Sequence, residues 1–348
     1  MIARNPVAVE VCDAKLDAQS APSLSWSQQI VDMIKSPQEL LSLLELPQAL
    51  LQDALTGHAQ FPVRATRDYV RRMKKGDPND PLLLQVLPLH LEQQEMAGYS
   101  ADPLSEADYT ASKGILQKYH GRALLITTSA CAIHCRYCFR RHFPYSEHRQ
   151  SRAQWKEALA SLPGDDSVSE IILSGGDPLM LNNSVLDELL TLIAELPQIS
   201  KVRLHTRLPI MLPDRIDQGL LDLFSDRPFK TIMVIHANHS AELDGSVEQA
   251  LARLRPAVHM LLNQTVLLKG VNDDAPTLAA LSERLFECGV TPYYLHQLDK
   301  VQGAAHFDCG DERLSSLMQA LRAKLPGYLV PRLVREIPGA PSKTPIFA

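Results

Sequence analysis

The feature that most constrains the fold is a series of short apolar segments that alternate with helical segments after residue 115. Six of these segments have the length and side chains of strands, and each leaves room for a crossover helix before the next. They are residues 122–128, 169–174, 201–206, 231–237, 259–268 and 292–298. Such alternation predicts a parallel sheet with right-handed crossovers. Six strands are too few for a closed eightfold barrel, and the chain lacks the G-x-G-x-x-G motif of a doubly wound nucleotide-binding sheet. We therefore predict an α/β fold, a partial (β/α)6 TIM-like barrel.

Residues 1–110 are predicted to form an N-terminal helical region. Apolar residues recur there at helical spacing, and Ser36-Pro37-Gln38-Glu39 is typical of a helix start. The partial barrel is assigned to residues 111–330, and a C-terminal segment to residues 331–348. In parallel sheets ligands bind at the carboxyl ends of the strands, so the residues that follow each strand are the site candidates.

Charge and hydropathy exclude several classes of protein. The 348 residues carry 35 lysines and arginines against 40 aspartates and glutamates, a net charge of −5, which disfavours a nucleic-acid or anionic-membrane surface. No apolar run approaches the roughly 18 residues of a membrane span, and residues 1–20 lack the apolar centre of a signal peptide. We therefore predict a cytoplasmic protein that binds neither nucleic acid nor membrane.

Three of the six cysteines, Cys131, Cys135 and Cys138, follow the first predicted strand with the spacing C-x3-C-x2-C. Their crowding favours metal or cluster ligands over disulfides. A structural zinc site normally has four ligands in two close pairs; no second cysteine pair is present, although His134 or His142 could complete one. Three thiolates also suit a [4Fe-4S] cluster in which one iron keeps an open coordination position.

Polar residues also follow the later strands. Gly175 and Gly176 follow the second strand, where two glycines either let a ligand approach the backbone or simply form a tight turn. Polar groups near the ends of the third to fifth strands are predicted to line a cofactor cavity, without individual roles: His205, Thr206, Arg207, His236, Asn238, His239, Asn263, Gln264 and Thr265. Asp299 ends the sixth strand. Lys343, between turn-forming residues, is either a solvated lysine or a Schiff-base lysine.

The cysteine motif, with Tyr137 before its last cysteine, resembles that of radical S-adenosylmethionine enzymes. Together with Arg140-Arg141 and with Lys343 in the pattern P-G-x-x-x-K-x-P, it resembles the lysine 2,3-aminomutases, over about residues 55–348. The short chain is similar to the bacterial form that makes β-lysine for modification of translation elongation factor P.

This resemblance implies an isomerase, an intramolecular aminotransferase, that converts L-α-lysine to β-lysine. It implies a [4Fe-4S] cluster, S-adenosyl-L-methionine and pyridoxal 5′-phosphate as cofactors, with hydrogen abstraction by a 5′-deoxyadenosyl radical and 1,2-migration of the amino group. It also implies an electron donor such as flavodoxin or ferredoxin, a functional link to elongation factor P and its ligase, and a homo-oligomer.

The resemblance assigns roles to individual residues of the chain. The cofactor residues are Cys131, Cys135 and Cys138 for the cluster, Gly175, Gly176 and Asp177 for S-adenosylmethionine, Lys343 as the catalytic lysine that holds pyridoxal phosphate, and Lys118, Tyr119 and Arg122 for its phosphate. The substrate residues are Arg140 for the carboxylate, and Asp299 and Glu336 for the distal ammonium.

The chain departs from the family pattern at three places. Lys118 stands where the family usually has arginine, and Glu336 where it has aspartate, which changes the depth or shape of the substrate pocket. No cysteine follows Cys309, so the zinc segment of the larger clostridial members is not expected. The alternatives are an aminomutase for arginine or glutamate, a radical enzyme without pyridoxal phosphate and, outside the enzymes, a zinc-stabilised binding protein.

Overall fold

The structure, a computed structural model, describes residues 24–112, 114–144, 152–162 and 167–347. Within these ranges ten strands form one sheet, with β1 to β10 neighbouring each other in chain order. The strands are β1 (Thr110–Ser112), β2 (Ile115–Leu116), β3 (Gly121–Thr128), β4 (Val168–Gly175), β5 (Lys201–Thr206), β6 (Lys230–His236), β7 (Met260–Val266), β8 (Thr291–His296), β9 (Arg332–Arg335) and β10 (Thr344–Pro345). β3 to β9 pair in parallel, whereas β1, β2 and β10 extend the two edges antiparallel.

The sheet confirms the predicted α/β fold. All six predicted strands are present as β3 to β8, and the sheet stays open because its two ends, β1 and β10, do not pair with each other among the described residues. The prediction missed β9, a seventh parallel strand, whose four residues are too few to form a recognisable apolar segment. β9 matters because it carries the chain to Glu336 and Lys343 at the edge of the barrel.

Helices connect the parallel strands and precede the barrel. They are α1 (Trp26–Val31), α2 (Pro37–Leu43), α3 (Leu51–Gln60), α4 (Arg67–Arg71), α5 (Arg152–Ala160), α6 (Asn183–Ala194), α7 (Leu208–Met211), α8 (Gln218–Asp222), α9 (Gly245–Leu254), α10 (Ala275–Glu287) and α11 (Leu314–Lys324). The predicted start of α2 is confirmed: the Ser36 side chain accepts a hydrogen bond from the Glu39 amide, and Pro37 occupies the first helical position.

The N-terminal helices and the barrel share one apolar core. Ile34, between α1 and α2, and Leu40 of α2 belong to the same buried cluster as Leu204 of β5 and Leu189 of α6. The segment between α4 and β1 contacts the loops that follow β3 and β8, because the Gln85 carbonyl accepts from the Arg136 amide and the Ser100 amide donates to the Lys300 carbonyl, both at 3.0 Å. The division of the chain at residues 110 and 330 stays a prediction. No helix in the described ranges is both long and apolar enough to cross a membrane.

Candidate active site

A cavity of about 440 Å³ opens at the carboxyl ends of the parallel strands. Every residue to which the family resemblance assigns a role with a cofactor, the substrate or the cluster lines it. The parallel topology explains this convergence, because the loops that leave successive strands at the same edge face one another. Residues from positions 118 to 343 are thus brought to a common space, while their individual roles stay predictions.

The three cysteines lie on the loop after β3, are half-buried and form no disulfide. Burial, together with Asp177 and the neighbouring thiolates, raises the pKa of the Cys131 thiol well above its usual value, and burial together with Cys135 raises the pKa of Cys138 to about 11. No group of three or more cysteine, histidine, aspartate or glutamate side chains in the described ranges is arranged to hold a single metal ion. A four-iron cluster binds each thiol through a different iron, so its ligands need a common cavity rather than a common point.

Glu92, from the N-terminal region, holds the cysteine loop through a buried cluster of charges. Glu92 accepts hydrogen bonds from Arg136 Nε at 2.9 Å and from Arg141 Nη2 at 2.8 Å, and all three side chains are inaccessible to solvent. Both guanidinium groups also lie over the Phe61 ring, at 4.7 and 4.6 Å from its centroid. The Gln85 carbonyl accepts a further bond from the Arg136 amide at 3.0 Å. Glu92 therefore anchors the cysteine loop on both sides of its third cysteine, Cys138.

Glu92→Gln is expected to destabilise the protein by about 3 kcal/mol, because it leaves two buried guanidinium groups without their carboxylate. Urea unfolding of the full chain measures this change. Glu39→Gln is the matched control: Glu39 also pairs with an arginine, Arg67, but both side chains are more than a third exposed, so the loss should stay under about 1 kcal/mol. Equal losses in the two variants would contradict the anchoring role of Glu92.

The loop after β4 packs directly on the start of the cysteine loop. A Cβ atom on Gly176 would lie 2.4 Å from the Ala130 carbonyl oxygen, and Gly175 has a φ of +111°, so both positions require glycine. The Asp177 amide donates to the same carbonyl at 2.8 Å. The buried Asp177 carboxylate accepts from Thr206 Oγ1 and from the Arg207 amide, both at 2.7 Å. The Gly-Gly-Asp stretch therefore joins the ends of β3, β4 and β5.

Glu336 lies at the centre of a charged cluster on the opposite wall. Its carboxylate accepts a hydrogen bond from Lys343 Nζ at 2.7 Å, lies 3.0 Å from Lys118 Nζ and accepts from the Tyr119 hydroxyl. Burial opposes its ionisation, but the two lysines and the tyrosine outweigh burial and lower the pKa of Glu336 to about 2. Two predicted phosphate-binding residues and the predicted catalytic lysine thus meet at one carboxylate.

Asp299 and Arg140 lie in different electrostatic surroundings. Burial raises the pKa of Asp299 to about 7, although Lys343 and Lys118 act in the opposite direction. Arg140 is buried, and its Nε and Nη2 atoms donate to both carboxylate oxygens of Glu106 at 2.7 and 2.6 Å. Its Nη1 atom donates to Ser174 Oγ at 3.1 Å. Glu106, on the segment before β1, therefore orients the predicted carboxylate-binding residue.

The polar groups at the other strand ends divide into two sets. The prediction that these groups line the cavity is confirmed for five of them: His205, Thr206, Arg207, His236 and Gln264. It is wrong for Asn238, His239, Asn263 and Thr265, which lie outside the lining. Side chains alternate along a strand, so Gln264 faces the cavity while Asn263 points away and bonds the backbone of Ala237 at 2.8 and 3.1 Å.

The sequence also missed several lining residues. His296 ends β8, and its position at a strand end was a usable signal. Arg203 lies within β5, and Glu106 lies outside the barrel pattern, where no periodicity marks it. Burial lowers the pKa of His296 to about 3 and that of His205 well below its usual value, and nearby cations act in the same direction. Both imidazoles are therefore neutral near pH 7.

Comparisons with known proteins agree with this geometry. Residues 120–207 match the family model described as a 4Fe-4S single cluster domain. The chain is 46% identical over 322 residues to the L-lysine 2,3-aminomutase of Escherichia coli (strain K12), which covers 92% of this chain and 94% of that protein. It is 41% identical to the enzyme of the same name from Haemophilus influenzae, over 92% of this chain and 95% of that protein. The L-lysine 2,3-aminomutase of Clostridium subterminale is 30% identical, over 95% of this chain and 80% of that protein.

The similarity extends over almost the whole chain. The cysteine loop lies within the matched cluster domain. The protein therefore belongs to the lysine 2,3-aminomutase family of radical S-adenosylmethionine enzymes, which are isomerases.

Proposed function

We propose that this chain converts L-α-lysine to β-lysine with a [4Fe-4S] cluster, S-adenosylmethionine and pyridoxal 5′-phosphate. The observation that supports this most is that Lys343 and the three cysteines line one cavity although about 200 residues of chain separate them. A covalent cofactor on Lys343 would then share the cavity with ligands bound at the cluster. Enzymes that use such cofactors need their reactive groups in one space, from which water is excluded.

Buried polar atoms along the cavity support the fit of these cofactors. Lys118 Nζ, His205 Nε2 and His296 Nε2 are buried and have no hydrogen-bond partner among the described residues. Lys118 Nζ is close to Glu336, but this contact lacks hydrogen-bond geometry. Buried polar groups normally have partners, so these three atoms indicate a polar ligand in the cavity. Lys118, Tyr119 and Arg122 would hold the phosphate, and Lys343 would hold the pyridoxal ring.

When bound, the cluster with S-adenosylmethionine supplies a hydrogen-abstracting radical, and pyridoxal phosphate carries the migrating nitrogen. The protein fixes the substrate at both ends so that one C–H bond faces the radical. Arg140 holds the carboxylate through its planar guanidinium, and Asp299 with Glu336 holds the distal ammonium. Two carboxylates at that end favour a diamino acid over glutamate.

Glu336 has two successive partners in this scheme. Its carboxylate accepts a hydrogen bond from Lys343 Nζ at 2.7 Å. A covalent bond between this amine and pyridoxal phosphate would replace the ammonium group, and the Glu336 carboxylate would then be available to the distal ammonium of lysine.

The KM for lysine is expected to rise as the pH falls below about 7, because only the ionised Asp299 attracts the ammonium and the pKa of Asp299 is about 7. Below the midpoint KM should rise by up to about tenfold per pH unit and level off near the KM of the Asp299→Asn variant, because the pKa of Glu336 is about 2 and this second carboxylate stays ionised. Steady-state kinetics between pH 6 and 9 measure the profile.

The Asp299→Asn variant is the control for this profile. Its KM is expected to be higher than that of the wild type at pH 8 and to lose the pH dependence, because asparagine does not ionise. A variant with the wild-type pH profile would exclude Asp299 as the titrating group.

The reaction itself is tested by anaerobic incubation of the reconstituted protein with lysine, S-adenosylmethionine and a reductant, followed by chiral separation of the products. We expect β-lysine from lysine, and much slower turnover of arginine and glutamate. Faster turnover of arginine or glutamate than of lysine would identify that amino acid as the substrate. The absence of any 2,3-amino migration would overturn the proposed function.

We extend the proposal to the cellular role: a cytoplasmic homo-oligomer, reduced by flavodoxin or ferredoxin, whose β-lysine modifies elongation factor P through its ligase. The supporting observation is the near full-length similarity to the E. coli and H. influenzae enzymes. Mass spectrometry of elongation factor P from a strain that lacks this gene should show loss of the modification. Restoration by the wild-type gene but not by an inactive variant is the required control.

A further inference from the structure

The cavity contains a buried cation in direct contact with one of the cysteines. Arg207 follows β5 and is 6% exposed. Its Nη1 atom donates to Cys135 Sγ at 2.8 Å, and its Nη2 atom donates to Gln85 Oε1 at 2.6 Å and to Glu242 Oε2 at 2.9 Å. Neither the sequence pattern nor the proposed reaction gives this guanidinium a role.

The surroundings hold Arg207 in one orientation. Its amide donates to Asp177 Oδ2 at 2.7 Å, which fixes the start of α7. The guanidinium carbon lies 5.6 Å from the centroid of the Tyr69 ring and 5.7 Å from that of Tyr137, so aromatic rings cover it. Glu242 is held in turn, because its other oxygen accepts from the amides of Asn238 and His239 at 2.9 and 3.1 Å. The donor therefore cannot turn away from the sulfur without breaking several buried contacts.

This arrangement has a definite electrostatic effect on a cluster bound at Cys135. Reduction of a [4Fe-4S] cluster from the 2+ to the 1+ state adds one electron, and therefore one negative charge, to the cluster and its sulfurs. Hydrogen bonds to ligand sulfurs and nearby charges set the potential of such clusters, and electrostatic interactions are strong where water is excluded. Glu242 opposes the cation, but Arg207 stands between Glu242 and the sulfur and so has the larger influence.

We propose that Arg207 raises the reduction potential of the cluster by donating a hydrogen bond from its charged guanidinium to the sulfur of Cys135. It thereby helps a low-potential one-electron donor to reduce the cluster from 2+ to 1+. Arg207 is a positioning residue in this role, because it acts through a cluster ligand. This inference rests on the cluster of the proposed function and adds to it a residue that controls electron uptake.

The test is a redox titration of the reconstituted full-length protein, followed by the electron paramagnetic resonance signal of the reduced cluster. The main variant is Arg207→Gln with Glu242→Gln, which removes the cation and its buried counter-charge together. We expect it to bind the same amount of iron. At the wild-type midpoint its ratio of reduced to oxidised cluster should be about tenfold lower, which corresponds to 59 mV for one electron.

Two further variants separate this role from a structural one. Arg207→Lys keeps the positive charge but loses the planar set of guanidinium N–H donors. The midpoint potential of its cluster should therefore lie between those of the wild type and the double variant. Arg215→Gln removes another fully buried guanidinium, which donates to the Leu179 and Leu181 carbonyls, and should leave the midpoint unchanged. If the double variant loses its iron, the midpoint potential of the Arg207→Lys variant becomes the test of the inference, and a value below that of the wild type is the expected result. The inference is overturned if an iron-loaded Arg207 variant has the same midpoint potential as the wild type. The proposed function is overturned instead if the wild-type protein contains no iron and no sulfide.

Discussion

Replacement of Lys343 by alanine is expected to abolish the formation of β-lysine, by at least about a thousandfold, while the visible absorbance of the iron–sulfur cluster stays at its wild-type level. The alanine side chain has no amine to bind pyridoxal phosphate, but the cluster ligands lie on a different loop of the cavity. The variant should remain folded, because Lys118 still lies 3.0 Å from Glu336 and keeps that carboxylate paired.

Three measurements check this expectation. Product analysis gives the rate, the spectrum gives the cluster content, and borohydride reduction of the wild type should attach the cofactor to the peptide that contains Lys343. Lys324→Ala is the matched control, because Lys324 is exposed in the last turn of α11. Normal lysine turnover by the Lys343→Ala variant would exclude this residue as the carrier of pyridoxal phosphate.

Cys135→Ala is expected to lose nearly all of its bound iron and, with it, all turnover. Three thiolates are already fewer than the four that such clusters usually have, so the removal of one leaves two ligands. The matched control is Cys309→Ala, which removes a thiol that is equally half-buried but lies outside the cavity lining. Iron and acid-labile sulfide per chain, together with the absorbance spectrum, measure the difference.

The two cysteine variants also separate iron–sulfur chemistry from the zinc alternative. Iron with labile sulfide in the Cys309→Ala variant and in the wild type is the expected result. Zinc alone in the wild type would favour the zinc-stabilised binding protein. A Cys135→Ala variant with full iron content would show that Cys135 is not a ligand.

Local patterns in the chain were sufficient to predict much of the barrel. Most of the six central strands contain an uninterrupted apolar run, as in β3 and β6, whereas β5 alternates; buried parallel strands have such runs because both of their faces are covered. The short strand β9 escaped prediction because four residues do not show a period. The wrong assignments of Asn263 and Thr265 arose at a strand where polar residues run across both faces, so that only the register of the strand decided which side chain reaches the cavity.

The cysteine motif, the order of strands and helices, and the site residues implied by family resemblance could be predicted from the sequence, because each of these is a local pattern. Which charged groups meet became visible only in the folded chain. Arg140 pairs with Glu106, which is 34 residues away, Arg207 reaches Cys135 across 72 residues, and Tyr119 binds Glu336 across 217. These contacts have no local signature, because the chain must fold before the electrostatic environment of each group exists.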